Sequence, residues 1–303
     1  LEDRSAAYVN GTYRGQMSGY LIGGTSNGIP TNEFWEFNPD DEQPWKQWTK
    51  IRPVPAKRTQ SSAVYAALNS GLPFIYLFGG LDEDKQPCND LYVFDINVSL
   101  WDKLTPSINP SPRYASALGY LDFVYNIGGI LRDANGKDSI TDQVHRLLQY
   151  STAWKEVTKF PEAQCNSLVF SVDDSIIYAG LGQTSLNDSP AFSKRLFVSK
   201  NITEEGIEWD DRLPSMPGSP GSKALGGAVI GTNIYVVDDG GYIHIFDMQN
   251  EKWSEKSETR RLPVKNRKIH CVYGFAGDGK LYIGLGEDSR EIISYDPGWD
   301  TDN

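Results

Sequence analysis

The chain has 303 residues, and its hydrophobic share of 39% and aromatic share of 12% are enough for a packed core. The formal net charge of −11 argues against nucleic acid as the main partner, because phosphate binding needs a concentrated positive face. No run of about eighteen apolar residues occurs, so we expect no direct membrane insertion of this domain.

In chain order, the first recurring element is a short apolar strand that ends in a glycine pair. The pair allows a sharp backbone bend at a place where a side chain would collide with a neighbouring sheet. The first three copies end in Gly-Gly, and the last three depart from this pattern. They are Gly19–Gly24 (GYLIGG), Ile75–Gly80 (IYLFGG), Val124–Gly129 (VYNIGG), Ile177–Gly182 (IYAGLG), Ile234–Asp239 (IYVVDD) and Leu281–Gly286 (LYIGLG).

A polar loop and an aromatic strand follow each copy, for example Glu33–Asn38 and Asp90–Asp95. A tryptophan strand then closes five of the six units, with successive tryptophans about 44 to 55 positions apart. These residues are Trp48, Trp101, Trp154, Trp209 and Trp253. One such sheet cannot bury both of its faces alone, whereas a closed ring of sheets can, with the tryptophans between blades. A β-sandwich with unrelated glycines does not explain this spacing.

Six copies of strand, Gly-Gly, loop, aromatic strand and Trp resemble the kelch repeat, and the resemblance covers nearly the whole chain. It implies an all-β fold, a six-bladed kelch-type β-propeller with four antiparallel strands per blade. We expect a single domain over residues 1–303. Its blades are expected at about residues 4–50, 58–105, 113–158, 164–213, 223–257 and 268–303.

The sixth unit stops at Asn303 without a closing tryptophan strand, since Trp299 comes too soon for that role. The last blade is therefore expected to be incomplete at the C-terminus. Kelch propellers usually complete the last blade with a terminal strand from the other end of the chain. We therefore expect a closing strand or a further domain upstream of Leu1.

The register of the first strands places one polar residue per unit at the same position. By the symmetry of a propeller these residues form a ring at the mouth of the central channel, and in some kelch domains arginines at similar places hold acidic peptides. The six candidate ligand-binding residues are Arg4, Arg58, Arg113, Gln164, Lys223 and Lys268. The alternative is structural: these side chains pair with carboxylates of neighbouring blades or cap backbone carbonyl groups. Candidate stacking faces for a sugar, or packing residues, are Trp35, Trp45, Tyr114 and Tyr242.

The residues that could carry catalysis are few. No two of His145, His244 and His270 have a metal-binding spacing, and the copper site of galactose-oxidase-like kelch proteins cannot be assigned. Cys88, Cys165 and Cys271 are far apart and form no CxxC pair, which favours free or buried thiols. The sequence therefore predicts no catalytic residue, no metal site and no cofactor.

We expect a monomeric, non-enzymatic interaction module that presents its loops and a basic channel mouth to an anionic peptide, protein or glycan. The alternative is an enzyme resembling kelch mutarotases of sialic acid, suggested by the strand ends Tyr178–Gly182 and Tyr282–Gly286. The strands also resemble exported Bacteroidota-type kelch proteins, often lipoproteins. This resemblance implies an extracytoplasmic location in the periplasm or at the cell surface. A cytoplasmic adaptor is the rival expectation.

Overall fold

A computed structural model of the chain describes residues 5–8, 18–26, 28–39, 47–67, 72–148, 153–173, 175–203, 205–219, 221–254, 261–262, 272–276, 279–285 and 292–298. The regular elements of these residues are β-strands. No helix among them is long and apolar enough to cross a membrane.

The first three units each form a four-stranded antiparallel sheet in which consecutive strands of the unit are neighbours. Unit one contains β1 (Ser5–Tyr8), β2 (Gly19–Ile22), the small hairpin β3 (Thr25–Ser26) and β4 (Ile29–Pro30), β5 (Phe34–Phe37) and β6 (Trp48–Lys50). Unit two contains β7 (Ser62–Ala67), β8 (Pro73–Phe78), β9 (Leu91–Asp95) and β10 (Leu100–Leu104). Unit three contains β11 (Arg113–Tyr114), β12 (Ala117–Tyr120), β13 (Val124–Ile127), β14 (Ile130–Arg132), β15 (Asp138–Ile140), β16 (Val144–Leu148) and β17 (Ala153–Glu156). In unit three, β11, β14 and β15 form a separate small sheet above the main one.

The last three units repeat this plan, and the sixth has three strands within the described residues. Unit four contains β18 (Leu168–Val172), β19 (Ile176–Gly180), β20 (Leu196–Thr203) and β21 (Gly206–Asp210). Unit five contains β22 (Ala224–Ile230), β23 (Asn233–Asp238), β24 (Ile243–Asp247) and β25 (Lys252–Trp253). Unit six contains β26 (Val272–Ala276), β27 (Leu281–Leu285) and β28 (Ile292–Tyr295).

The first strands of the six units contact one another in cyclic order: β1, β7, β12, β18, β22, β26 and again β1. At the point of closure, the rings of Phe37 in unit one and Tyr282 in unit six lie 5.4 Å apart between centroids. The sheets are therefore arranged radially, with the first strand of each unit nearest the axis. The predicted all-β propeller of antiparallel four-stranded sheets is confirmed.

The hydrophobic core consists of layers between adjacent sheets, as the repeat predicts for strands covered on both faces. Between units one and two, the fully buried Phe34 packs edge-on against Phe94 with ring centroids 4.8 Å apart. Trp101 of unit two completes this layer, 5.1 Å from Phe34, and its Nε1 donates to the Arg52 carbonyl oxygen at 3.1 Å. Such aromatic pairs contribute about 0.5–1.5 kcal/mol each beyond the burial of their area. The predicted role of the tryptophan is thus observed here.

A long hairpin also joins units three and four. Thr158 Oγ1 donates to the Ile207 carbonyl oxygen at 2.6 Å and accepts from the Ile207 backbone N–H at 2.9 Å. The Arg146 Nη1 donates to the Thr203 carbonyl oxygen at 3.1 Å. The hairpin β20–β21 is therefore fixed to the preceding unit by polar contacts as well as by packing.

Candidate functional site

Residues just before the first strands of the units line the mouth of the channel. In three successive units, one of these residues has the same unusual backbone conformation. Gln60, Ala115 and Asn166 occupy equivalent positions and have φ angles of 52°, 51° and 53°. The Ala115 N–H donates to the Gln60 carbonyl oxygen at 2.9 Å, and the Asn166 N–H donates to the Ala115 carbonyl oxygen at 2.7 Å. Left-handed conformations are unfavourable for residues with a side chain, so these hydrogen bonds hold a strained rim in one shape.

The glycine pairs meet the same rim from the adjacent unit. The second glycine of each pair donates its N–H to a carbonyl oxygen of the next unit: Gly80 to Arg113 and Gly129 to Gln164, both at 2.9 Å. Gly24 donates likewise to Arg58 at 2.8 Å. We call these three hydrogen bonds the Gly-Gly seam. Arg58, Arg113 and Gln164, three members of the predicted column, are therefore equivalent in their backbone hydrogen bonds.

The Arg58 side chain makes an ion pair with Asp90 and donates to the Lys57 carbonyl oxygen at 2.7 Å. Lys103 contacts the other oxygen of Asp90 at 2.6 Å. Burial alone would raise the pKa of the Asp90 carboxyl, but hydrogen bonds from Lys103 and Arg58 outweigh it and lower the pKa. Arg58 thus fits the structural alternative, with a carboxylate of its own unit as partner.

Arg113 is fully buried and has no carboxylate within ion-pair distance among the described residues. Its three nitrogens donate to the carbonyl oxygens of Ser111 at 3.1 Å and Gly128 at 3.4 Å, and to Gln143 Oε1 at 2.9 Å. Burial lowers the pKa of Arg113 to about 10. Burial, reinforced by the Arg113 charge, also lowers the pKa of His145 to about 4. Arg113 therefore caps backbone carbonyl groups, which is the second structural role considered for this column.

Gln164 is also fully buried, and its amide is used on both sides. Its Oε1 accepts from the Gly182 N–H at 2.8 Å, and its Nε2 donates to Glu162 Oε2 at 2.7 Å. Ser193 Oγ donates to the same Glu162 oxygen at 2.6 Å. The Gln164 side chain therefore connects Gly182 and Glu162 by hydrogen bonds and stabilises the rim at unit four.

Lys223 is half-buried, as Arg58 is, but unlike Arg58 it has no carboxylate partner among the described residues. Its ammonium group lies 6.0 Å from the centroid of the Phe192 ring and makes no ion pair within the described part of the chain. Cation–π contacts of this kind are worth about 0.5–1 kcal/mol at exposed sites, which orients the group without neutralising it. Arg4 and Lys268 lie outside the described residues, so their place in the ring stays a prediction.

The four candidate stacking residues differ in accessibility. Tyr114 is buried and its hydroxyl donates to Asp138 Oδ2 at 2.8 Å. Trp35 is half-buried, with Lys50 Nζ 5.5 Å from its ring. Trp45 lies outside the described residues. Tyr242 is half-buried, and the Arg261 guanidinium lies 4.9 Å from its ring centroid.

Unit five departs from the Gly-Gly pattern, and the departure creates a buried Asp–His hydrogen bond that the sequence analysis did not anticipate. Asp238 replaces the first glycine of the pair, and its Oδ2 lies 2.9 Å from His244 Nε2. The other oxygen accepts the N–H groups of Gly240 at 2.9 Å and Tyr242 at 3.0 Å. Burial would raise the pKa of Asp238, but these partners, His244 first among them, lower it. The signal for this arrangement was the IYVVDD variant of the strand end.

Among the described residues, no group of three His, Cys, Asp or Glu side chains is arranged to hold a metal ion. Both described histidines, His145 and His244, are buried.

The chain was compared with known proteins. Kelch domain-containing protein 3 from Rattus norvegicus and from Mus musculus is 24% identical over 271 residues, which cover 83% of this chain and 58% of the relative. The Bos taurus protein of that name is 24% identical over 257 residues, covering 80% and 54%. The chain therefore spans little more than half the length of the curated relatives it matches. A solved structure titled "Structure of YjhT" covers 98% of both chains with a TM-score of 0.70 and 13% identity, a likeness of fold alone.

The family comparison goes further than these individual relatives. The model of the KLHDC2/KLHL20/DRC7 Kelch-repeats domain matches residues 11–241, which is most of the chain. Together with the radial sheets and the Gly-Gly seam, this match shows that the chain belongs to the KLHDC2/KLHL20/DRC7 Kelch-repeats domain family.

Proposed function

We propose that this domain is a protein-interaction module that binds an acidic peptide segment of its partner at the channel mouth, on the face that carries the Gly-Gly seam. Lys223 carries the proposal. It is the described member of the predicted ring that combines an accessible side chain with a charge not engaged in an ion pair. Phe192 beside it offers an apolar surface to the ligand chain.

The negative net charge of the chain makes the Lys223 cation a local point of attraction for acidic ligands. With a net charge of −11, the protein repels acidic ligands at a distance, so attraction has to arise locally at the mouth. A charge-assisted hydrogen bond from an ammonium group to a ligand carboxylate contributes about 1.5–3 kcal/mol. Such a contact at a partly exposed site weakens with ionic strength, since the Debye length falls to about 8 Å at 0.15 M salt.

An acidic glycan and catalysis on an acidic sugar are the competing proposals. A mutarotase needs an acid–base pair at the mouth, and the described histidines are buried, His244 in its pair with Asp238. The geometry therefore favours the binding module. Rates of sialic acid anomer exchange, measured by NMR with and without the protein, decide this point. Accelerated exchange would establish the enzyme instead.

The test is an array of acidic peptides and acidic glycans probed with the wild-type domain and with Lys223→Gln. Loss of one charge-assisted contact predicts an affinity about 10- to 150-fold lower for the acidic peptides. Arg58→Ala and Arg113→Ala examine the two described arginines of the predicted ring in the same array. Lys252→Gln is the matched control, because Lys252 is an exposed cation at the opposite end of the same sheet.

Unchanged binding by Lys223→Gln would contradict the proposed site. Binding of glycans alone would contradict the proposed ligand. Equal losses in Lys223→Gln and Lys252→Gln would show a general effect of net charge and would also contradict it.

A further inference from the structure

The connection between the second and third strands is shorter in unit five than in units one to four. The connection between the second and third strands of the unit spans residues 23–33, 79–90, 128–143 and 181–195 in the first four units. In unit five, the same connection is residues 239–242 alone. Asp238 organises this short turn by accepting the N–H groups of Gly240 and Tyr242. We call the part of the rim formed by this short turn the unit-five notch.

Two accessible cations flank the notch. On one side, Lys223 is tied to the turn by two contacts: its carbonyl oxygen accepts the Asp239 N–H at 2.9 Å, and its own N–H donates to Asp239 Oδ1 at 3.2 Å. On the other side, Arg261 forms a β-bridge with Tyr242 and donates from Nε to the Gly240 carbonyl oxygen at 3.2 Å. Both cations are thus positioned by the backbone of the same turn.

The two cations also share the same surroundings. Each lies over an aromatic ring, Lys223 over Phe192 and Arg261 over Tyr242, and neither makes an ion pair with a described carboxylate. Arg261 is exposed. A guanidinium that stacks on a ring and uses only Nε for the backbone keeps its terminal nitrogens available for a carboxylate. The notch therefore has two separate points that attract negative charge, each beside an aromatic ring.

We propose that the peptide leaves the channel mouth through the unit-five notch and carries two acidic side chains, one for Lys223 and one for Arg261. This inference rests on the proposed function and specifies its ligand. An extended chain advances about 3.3 Å per residue and presents alternate side chains on one face. About three or four extended peptide residues are therefore needed to cross the turn formed by residues 239–242. The acidic residues are therefore expected two or four positions apart.

Asp239 explains why two acidic residues suit the notch better than one. It is exposed and lies in the turn between the two cations, so a single carboxylate placed midway would also face its negative charge. Asp239→Asn keeps an oxygen that can accept the Lys223 N–H but removes that repulsion. We expect this variant to bind the doubly acidic peptide more tightly than the wild type does.

The experiment uses acetylated and amidated octapeptides of glycine and serine with one tyrosine, so that no terminal carboxylate competes. One peptide carries two glutamates two positions apart, a second carries them four positions apart, and two more have either glutamate replaced by glutamine. Affinities are measured by NMR titration at fixed salt against the wild type, Lys223→Gln, Arg261→Gln and Lys252→Gln. We expect each single loss of charge, on the peptide or at residues 223 and 261, to weaken binding about 10- to 150-fold, as for one charge-assisted contact. Arg261→Gln should have no further effect once its partner glutamate is gone.

The outcomes separate this inference from the proposed function. If the doubly acidic peptides bind no more tightly than the singly acidic ones, or if Arg261→Gln binds like wild type while Lys223→Gln is weakened, the notch is not the exit and the proposed function stands. If neither cation matters to any acidic peptide, both fall. The comparison among peptides on the wild-type protein needs no variant to fold.

Discussion

The Gly-Gly seam permits a sharp test of the fold, because a single methyl group should disrupt one joint between units. Gly128 has a φ of +62°, and a Cβ there would lie 2.3 Å from the Gln164 carbonyl oxygen, which accepts the Gly129 N–H. We expect Gly128→Ala to cost about 1 kcal/mol for the left-handed conformation. Displacement of the Gln164 backbone adds about 1–3 kcal/mol, and the weakened hydrogen bond about 1 kcal/mol.

The matched control is Gly136→Ala. Gly136 has a φ of +81°, but nothing lies within 4 Å of its added Cβ. This variant should show the conformational cost alone, and the restriction of the unfolded chain by alanine cancels between the two variants. We therefore expect Gly128→Ala to be less stable than Gly136→Ala by about 2–4 kcal/mol, or to melt about 4–8 °C lower in a calorimetric scan. Equal melting temperatures would refute the idea that the seam requires glycine for lack of space.

Three further predictions follow from buried groups. Burial lowers the pKa of His145 to about 4, below its usual value near 6.5. Between these two pH values the unfolded chain binds more protons than the folded one. The free energy of unfolding should therefore fall as the pH drops through this window, by about 2 kcal/mol at pH 5. Urea unfolding at pH 7 and pH 5 measures this, and an unaltered pH dependence in His145→Gln would contradict the assignment. Burial raises the pKa of the Cys165 thiol to about 11, and it also raises the pKa of Cys88, which is only half-buried. Iodoacetamide at pH 7.5 should therefore modify Cys88 first and Cys165 only after unfolding, an order that mass spectrometry can follow. Early modification of Cys165 would be inconsistent with this packing. Thr158→Val leaves the Ile207 N–H without its partner and should lower the free energy of unfolding, measured in urea, by about 1–3 kcal/mol. Thr158→Ser keeps the hydroxyl group and should lower it less. Similar losses in the two variants would mean that the hydroxyl contacts do not hold the hairpin.

Much of the fold could be predicted from sequence because its signals are local and repeated. A glycine pair marks a strand end whatever the rest of the chain does, and Trp101 fills the layer beside Phe34 as the pattern requires. The register of the predicted column was also informative, since Arg58, Arg113 and Gln164 accept equivalent backbone hydrogen bonds. These features depend on backbone geometry, which the repeat determines.

Side-chain directions could not be predicted in the same way. Arg58 meets a carboxylate because Asp90 is present, whereas Arg113 meets an amide because Gln143 occupies the equivalent place in its unit. These partners lie some thirty positions away and belong to no motif. Arg261 escaped notice for a similar reason, because only the bridge to Tyr242 brings it to the mouth.

The Gly-Gly seam has a consequence for how such a domain can change over time. Each joint is a hydrogen bond between main-chain atoms, so it forms whichever side chain the accepting residue carries. Two arginines and a glutamine occupy the accepting position in the three joints described. The same closure between blades is therefore compatible with different side chains.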